Sequence, residues 1–349
     1  MKIGILTFHH GLNFGGFLQC YSILNILKTK GLDVSVINYI NSRHRNLKRI
    51  QLIKNLVRLN TENFQKMRLY KKLQDEHLYL SPEKITSDPE KLNKFETILL
   101  GSDEVWNLEN IMFGQDLVYF GVGLQYTRLV SYAASFGSFN AKSPMDSKVG
   151  ERLVSLDYCT VRDANSKKIV DNFREDNAEI VLDPTLLNYN YFSSGKTRCS
   201  RESYALVYGS GIESTEQKII MQDSQKYNYK IIGVGPNTDW CDSSYKVISP
   251  FEFLDLIRNS KFVITSMFHG TMFSIIFKKQ FIAKVTPYRK NKFSSVVTTL
   301  CLKHRVVNDI DKHSMSILHE KEDYDGVFHS LDCEKRKSYQ LLDEMISLN

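Results

Sequence analysis

The chain has 349 residues, more than the roughly 250–300 at which a single hydrophobic core stops growing, so two domains are expected. With 42% hydrophobic and 24% charged residues the composition is that of an ordinary globular protein, which excludes a disordered or fibrous chain, and no apolar run approaches the roughly 18 residues of a membrane-spanning helix. The charge of +7 is local: residues 41–75 hold ten basic side chains against Glu62 and Asp75, and the remainder sums to −1.

In chain order, Ile3 to Leu6 reads as a first strand, too short for the core of a leader peptide. A loop Gly11–Gly16 follows, then apolar residues at helical spacing from Phe17 to Leu27, with Gly31 closing the helix. Val34 to Tyr39 is the next strand. This opening resembles half of a Rossmann unit, but its loop lacks the G-x-G-x-x-G spacing of a dinucleotide site, so neither NAD nor FAD is expected. Residues 41–80 turn helical and basic. Such a helix can rest on an anionic membrane surface or touch a phosphate-bearing lipid, although most basic helix faces are simply solvated.

Four further apolar runs follow: Phe95–Leu100, Leu129–Ala134, Cys159–Val161 and Ile180–Leu182. They end in Gly101-Ser102-Asp103, Ser135-Phe136-Gly137, Arg162-Asp163 and Asp183-Pro184, polar turns delivered to one edge and expected to line a cleft. The polar stretch Asn188–Ser203 reads as a linker. Alternation restarts at Tyr204–Tyr208, with a helix near 213–226, a strand at 229–235 and a well-capped helix from Ser249-Pro250 to Asn259. Phe262-Val263-Ile264 then enters Thr265-Ser266-Met267-Phe268-His269-Gly270-Thr271, a strand-to-helix turn carrying one histidine. Strand 281–285, a helix from about Asn291 to Leu302 and a closing helix over 332–348 complete the reading. The expected domains are 1–190, including the basic helical segment 41–80, and 191–330, followed by the closing helix in 331–349.

The six cysteines lie far apart, without C-x-x-C or zinc-ligand spacing, so reduced thiols, a cytoplasmic location and no metal are expected. Arg162, His269 and Arg289 stand at carboxyl ends of expected strands. Arginine holds carboxylate or phosphate through paired hydrogen bonds, and histidine moves protons near neutral pH. Each also has an ordinary structural reading: Arg162 paired with Asp163 or Asp183, Arg289 on the surface beside Lys290 and Lys292, and His269 as a packing or capping residue. No Ser-His-Asp order, P-loop or H-E-x-x-H appears.

Six segments in order resemble the polysaccharide pyruvyl transferase family, over about Lys2 to Arg305. They are Asn13-Phe14-Gly15-Gly16-Phe17-Leu18-Gln19, Gly101 to Asn107, Ser131 to Gly137, Val161-Arg162-Asp163 with Ser166, Asp183 to Leu187, and Ser266-Met267-Phe268-His269-Gly270. The resemblance implies an α/β fold of two Rossmann-like domains facing a central cleft, like GT-B glycosyltransferases. It also implies transfer of pyruvate from phosphoenolpyruvate onto two hydroxyls of one sugar, giving a cyclic ketal and phosphate, with no cofactor. The family's catalytic groups map to Arg162, His269 and, less directly, Arg289. A branch of the family carries Arg-Leu-His where this chain has Met267-Phe268-His269, so donor charge would be met by Arg289 or Lys292.

On this reading Ser266, Gly270, Thr271 and Lys292 bind the donor in the C-terminal domain. Asn13, Gly15, Gly16, Ser102, Asp103 and Ser135 bind the acceptor in the N-terminal domain. The basic segment 41–75 motivates a polyprenyl-diphosphate-linked oligosaccharide as acceptor and peripheral association with the inner face of the cytoplasmic membrane; nucleic acid is not an expected partner. Two other readings compete: a GT-B glycosyltransferase using a nucleotide sugar, and a non-catalytic binding domain of a polysaccharide pathway.

Overall fold

A computed structural model describes residues 2–47, 50, 61–81, 95–110, 116–195, 203–286 and 290–347. The chain divides into two compact units, Met1–Leu187 with Glu334–Asn349, and Asn188–Cys333. Among the described residues the named strands form two six-stranded sheets, every pairing parallel.

In the first unit the strands are β1 (Lys2–Leu6), β2 (Asp33–Val36), β3 (Phe95–Leu100), β4 (Tyr126–Ala134), β5 (Tyr158–Val161) and β6 (Glu179–Ile180), in the order β2-β1-β3-β4-β5-β6. The central strands are covered on both faces, so their inner stretches are apolar: Ile5, Leu6, Ile98, Leu99, Leu100, Leu129 and Val130 have no exposed surface. The helix Phe14–Thr29 joins β1 to β2. It starts one turn before the expected Phe17, because the Asn13 side chain accepts a hydrogen bond from Gly15 N–H and caps it there. Gly15 and Gly16 therefore belong to its first turn. In the basic segment, 42–47 and the helix Thr61–His77 are helical; the helix stops short of the expected Leu80, whose backbone instead pairs with Val36, and residues 48–49 and 51–60 lie outside the described residues.

The second unit contains β7 (Tyr204–Tyr208), β8 (Lys230–Val234), β9 (Ser243–Tyr245), β10 (Phe262–Thr265), β11 (Gln280–Lys284) and β12 (Val306–Val307), ordered β12-β11-β10-β7-β8-β9. The helix Pro250–Asn259 starts at a capping box in which Ser249 and Glu252 satisfy each other's backbone N–H groups, with proline at the first turn. Inside this unit Lys284 and Glu216, both nearly buried, pair at 2.6 Å, and Glu216 also accepts from the backbone of Ile310. The helix Tyr189–Ser193 occupies part of the stretch read as a linker. The last helix, Tyr324–Ser347, begins eight residues earlier than expected, and from Glu334 its residues belong to the first unit. Among the described residues no helix is long and apolar enough to cross a membrane.

Both sheets reverse their strand order once. In the first unit this happens between β1 and β3, in the second between β7 and β10. Consecutive crossovers leave in opposite directions at such a point, and open parallel sheets take their ligands at the carboxyl edge there.

Candidate functional site

In the first unit the carboxyl edge at the reversal is built by the turns after β1 and β3. Gln19, fully buried in the helix Phe14–Thr29, donates through Nε2 to Thr7 Oγ1 at 3.0 Å, Gly16 O at 3.0 Å and Phe8 O at 3.3 Å. Ser102 donates its hydroxyl to Gln19 Oε1, and its carbonyl accepts from Thr7 Oγ1 at 2.8 Å. One glutamine thus pins both turns. Gly101 has φ +94°, and a Cβ there would lie 2.7 Å from Tyr132 O, so only glycine fits. Asp103 follows in a left-handed conformation, φ +75°, its carbonyl accepting from Ser135 N–H at 3.0 Å. Three imidazoles gather in this unit: buried His9, His10 and His44, with successive ring centroids 5.1 and 4.5 Å apart.

The turns after β4 and β5 form a second, contiguous network. Ser135 Oγ donates to Asp163 Oδ2 at 2.6 Å and accepts from Gly137 N–H at 2.9 Å. Asp163 caps the helix Ala164–Asp171 by accepting from Ser166 N–H at 2.8 Å, and Ser166 Oγ in turn accepts from Phe136 N–H at 2.9 Å. Arg162, 2% exposed, donates from one terminal nitrogen to Asp183 Oδ2 at 3.0 Å, while the other lies 3.8 Å from Asp103 Oδ1. Burial disfavours its charge, but the carboxylates of Asp183, Asp103 and Asp163 outweigh that and raise its pKa above the ordinary arginine value. Asp183 is held by Thr185 N–H at 2.9 Å and Thr185 Oγ1 at 2.7 Å.

In the second unit the reversal brings together the turns after β7 and β10. Ser266 Oγ donates to Ser210 O at 2.7 Å and accepts from Ser210 N–H at 3.0 Å, tying the two turns together. Thr265 Oγ1 donates to Tyr208 O at 2.7 Å and accepts from Met267 N–H at 3.1 Å. The helix Phe268–Ile276 starts directly there, with Met267 as cap residue and no acidic side chain in its first turn. His269 is its second residue, 8% exposed, with its ring edge-on to Phe268. Gly270 is required by close approach: a Cβ would meet Thr265 Oγ1 at 2.3 Å and the Tyr208 ring at 2.9 Å.

The structure therefore brings Asn13, Gly15, Gly16, Ser102, Asp103, Ser135 and Arg162 to the carboxyl edge of one sheet, and Ser266, His269, Gly270 and Thr271 to that of the other. Ser102 and Ser135 are fully buried and spend their hydroxyls on the turns, whereas Asn13 is exposed and the Asp103 side chain is 17% exposed. Arg289 lies outside the described residues; Lys292 falls in the helix Lys290–Thr299, its side chain outside the description. Gln19 and Asp183, which the expected site omitted, organise it. Both stand inside the motif segments, and a lone glutamine among Phe17, Leu18 and Cys20 is the signal that could have marked the first.

Comparison with known proteins follows the same lines. A family model for polysaccharide pyruvyl transferase matches residues 13–285. No curated protein matches the sequence. Among solved structures, the UDP-GlcNAc 2-epimerase of Methanocaldococcus jannaschii is 13% identical with a TM-score of 0.54, covering 98% of this chain and 99% of its own. The Neisseria meningitidis UDP-GlcNAc 2-epimerase bound to UDP-GlcNAc is 11% identical, TM-score 0.53, with 99% and 100% covered. Arabidopsis thaliana UGT89C1 complexed with quercetin is 10% identical, TM-score 0.53, with 99% and 98% covered. At these identities the likeness is one of fold, and that fold is GT-B-like.

Proposed function

The chain belongs to the polysaccharide pyruvyl transferase family, and on that premise we propose that it moves pyruvate from phosphoenolpyruvate onto two hydroxyls of a sugar in a surface polysaccharide or its lipid-linked precursor. Both hydroxyl oxygens bond to C2 of the enolpyruvyl group and the C2–O bond to phosphate breaks. One hydroxyl proton ends on the enol methylene, making it methyl, and the other leaves with phosphate. The product is a cyclic ketal that keeps the carboxylate.

The observation that carries this reading is the family match over most of the chain. What supports a donor site on the second unit is the turn after β10: a helix start at the strand-order reversal, where N–H groups and the helix dipole favour an anion, with no acidic residue in the first turn. Ser266, Gly270 and Thr271 shape that turn. In this reading His269 carries the proton in one of the transfers, and Arg289 and Lys292 meet donor charge. Asp103 and Asn13 face the acceptor on the first unit. Arg162, which the family resemblance ties to donor binding, positions Asp103 through its 3.8 Å approach.

The test is phosphate release from phosphoenolpyruvate with a panel of galactosides and lipid-linked acceptors, with mass spectrometry for gain of one pyruvate less water. His269→Gln should lower kcat by about 10²-fold or more, the usual worth of a positioned acid or base. Near-normal turnover in that variant would reduce His269 to a capping residue. Release of a nucleoside diphosphate from a sugar nucleotide, with none of phosphate from phosphoenolpyruvate, would replace the reading with glycosyl transfer.

A further inference from the structure

Beside the first unit's strand-order reversal lies a cavity of about 810 Å³ that none of the residues above line. Its walls come from the loops after β3 and β4, the carboxyl edge that also bears Asp103 and Ser135. We propose that this cavity is an acceptor subsite that holds neutral saccharide residues flanking the sugar to be modified, a proposal that rests on the pyruvyl transfer reading.

The floor is apolar. Leu108, Leu117 and Met145 are half-buried side chains packed on the unit's core, and buried Phe139 lines the cavity with them. The rim is polar, with Arg43, Glu109, Asn110 and Asp146. Sugars offer this same division, since their C–H faces are apolar and their edges carry hydroxyls that pair with carboxylate, amide and guanidinium groups. The charged lining groups sum to −1, one arginine against two carboxylates, which disfavours a phosphate or carboxylate ligand and suits a neutral one. The volume falls inside the roughly 300–1,000 Å³ of small-molecule sites.

The walls are fixed by contacts already built into the unit. Asn110 N–H donates to Asn107 O at 3.1 Å, anchoring one wall to the Asp103 turn. Asn165, two residues past the Asp163 cap, donates to Phe139 O at 3.0 Å and Gly137 O at 3.2 Å, anchoring the other to the Arg162 turn. Asp116, next to Leu117, accepts from the Tyr39 hydroxyl at 2.6 Å and from Asn41 Nδ2. Asn41 Oδ1 accepts from Arg43 N–H at 2.8 Å, which seats Arg43 on the rim.

The test compares a panel of neutral monosaccharide methyl glycosides with the corresponding neutral trisaccharides by ligand-observed NMR on the full chain. At least one trisaccharide series should bind about tenfold more tightly than its monosaccharide, equivalent to about 1.4 kcal/mol. Met145→Trp, which fills the cavity from a half-buried position, should cut that advantage to about twofold or less while leaving phosphoenolpyruvate binding unchanged. Asn110→Ala, which cannot overpack, should cut it in the same direction, and melting curves check that both variants fold. Equal affinity for short and long sugars, or an advantage that survives both variants, overturns the subsite. Phosphate release is scored separately: an intact length effect without release sinks pyruvyl transfer alone, and release without a length effect sinks the subsite alone.

Discussion

Replacing Asp183 by asparagine tests whether the Arg162–Asp183 pair is the electrostatic keystone of the first unit. Asp183 has no exposed surface and Arg162 has 2%, so the pair, 3.0 Å apart, lies away from water. Asparagine keeps the shape and one carbonyl oxygen for Thr185 N–H and Oγ1, but takes away the carboxylate nearest the guanidinium, 3.0 Å away against 3.8 Å for Asp103. Breaking one partner of a buried pair costs about 3–5 kcal/mol, because the other charge stays buried without full compensation. Against a total stability of about 5–15 kcal/mol that is a large fraction. Urea unfolding followed by fluorescence of Trp106, buried in the first unit, in a Trp240→Phe background would read it. Removing both partners, with Arg162→Met added, should recover part of the loss, since the buried guanidinium goes with its closest carboxylate. A loss below about 1 kcal/mol in the single variant, or no recovery in the double, would refute the argument.

Gly270→Ala forces a Cβ to within 2.3 Å of Thr265 Oγ1, so it should destabilise the second unit by about 1–3 kcal/mol in Trp240-monitored unfolding. Cysteine labelling by an aromatic disulfide should be biphasic: exposed Cys301 and Cys333 react in the native protein, while buried Cys20 and Cys159 wait for unfolding. Burial, aided by nearby Asp176 and Asp171 and only partly offset by Ser131 and Arg174, pushes the Cys159 thiol up to about 11. Glu216 gives an acid limb. Burial raises its pKa, but the Lys284 contact and the Ile310 and Glu213 N–H groups outweigh that and hold it below the usual carboxylate value. Its contribution is therefore complete above the unfolded-state pKa and disappears as pH falls through the folded value. Glu216→Gln should flatten the decline in melting temperature below about pH 4.5, and an unchanged slope would count against it.

The sequence carried the central strands well because they are covered on both faces: Phe95–Leu100 and Tyr204–Tyr208 have the expected bounds, each a largely apolar run closed by a polar or glycine turn. It carried the cap at Ser249 equally well, a local signal with a local cause. Edge elements escaped it. Ser243–Tyr245 and Val306–Val307 pair along one side only and are too short to show a period, and the helix Lys312–His319 is one of eight residues with a polar exposed face. The start at Phe14 was obscured by two glycines that read as loop. At the site, the polar turns were visible as residue types at strand ends. Which carboxylate Arg162 meets was not, because Asp163 and Asp183 are equally eligible until β6 sets the path of the chain; in the fold Asp163 turns to Ser135 and Ser166, and Asp183 takes the guanidinium.

The return of the chain from Glu334 has a consequence for synthesis. Ser338 Oγ accepts from Leu182 N–H at 3.0 Å, Arg128 donates to Met345 O at 3.0 Å, and Lys30 pairs with Asp343 at 2.6 Å. A ribosome finishes everything from Lys2 to Leu187 long before it makes these partners. The first unit must therefore wait, its sheet assembled but one flank uncovered, while the whole second unit is translated. The second unit lacks that dependence and can close as soon as it emerges, so the half made last is free to finish first.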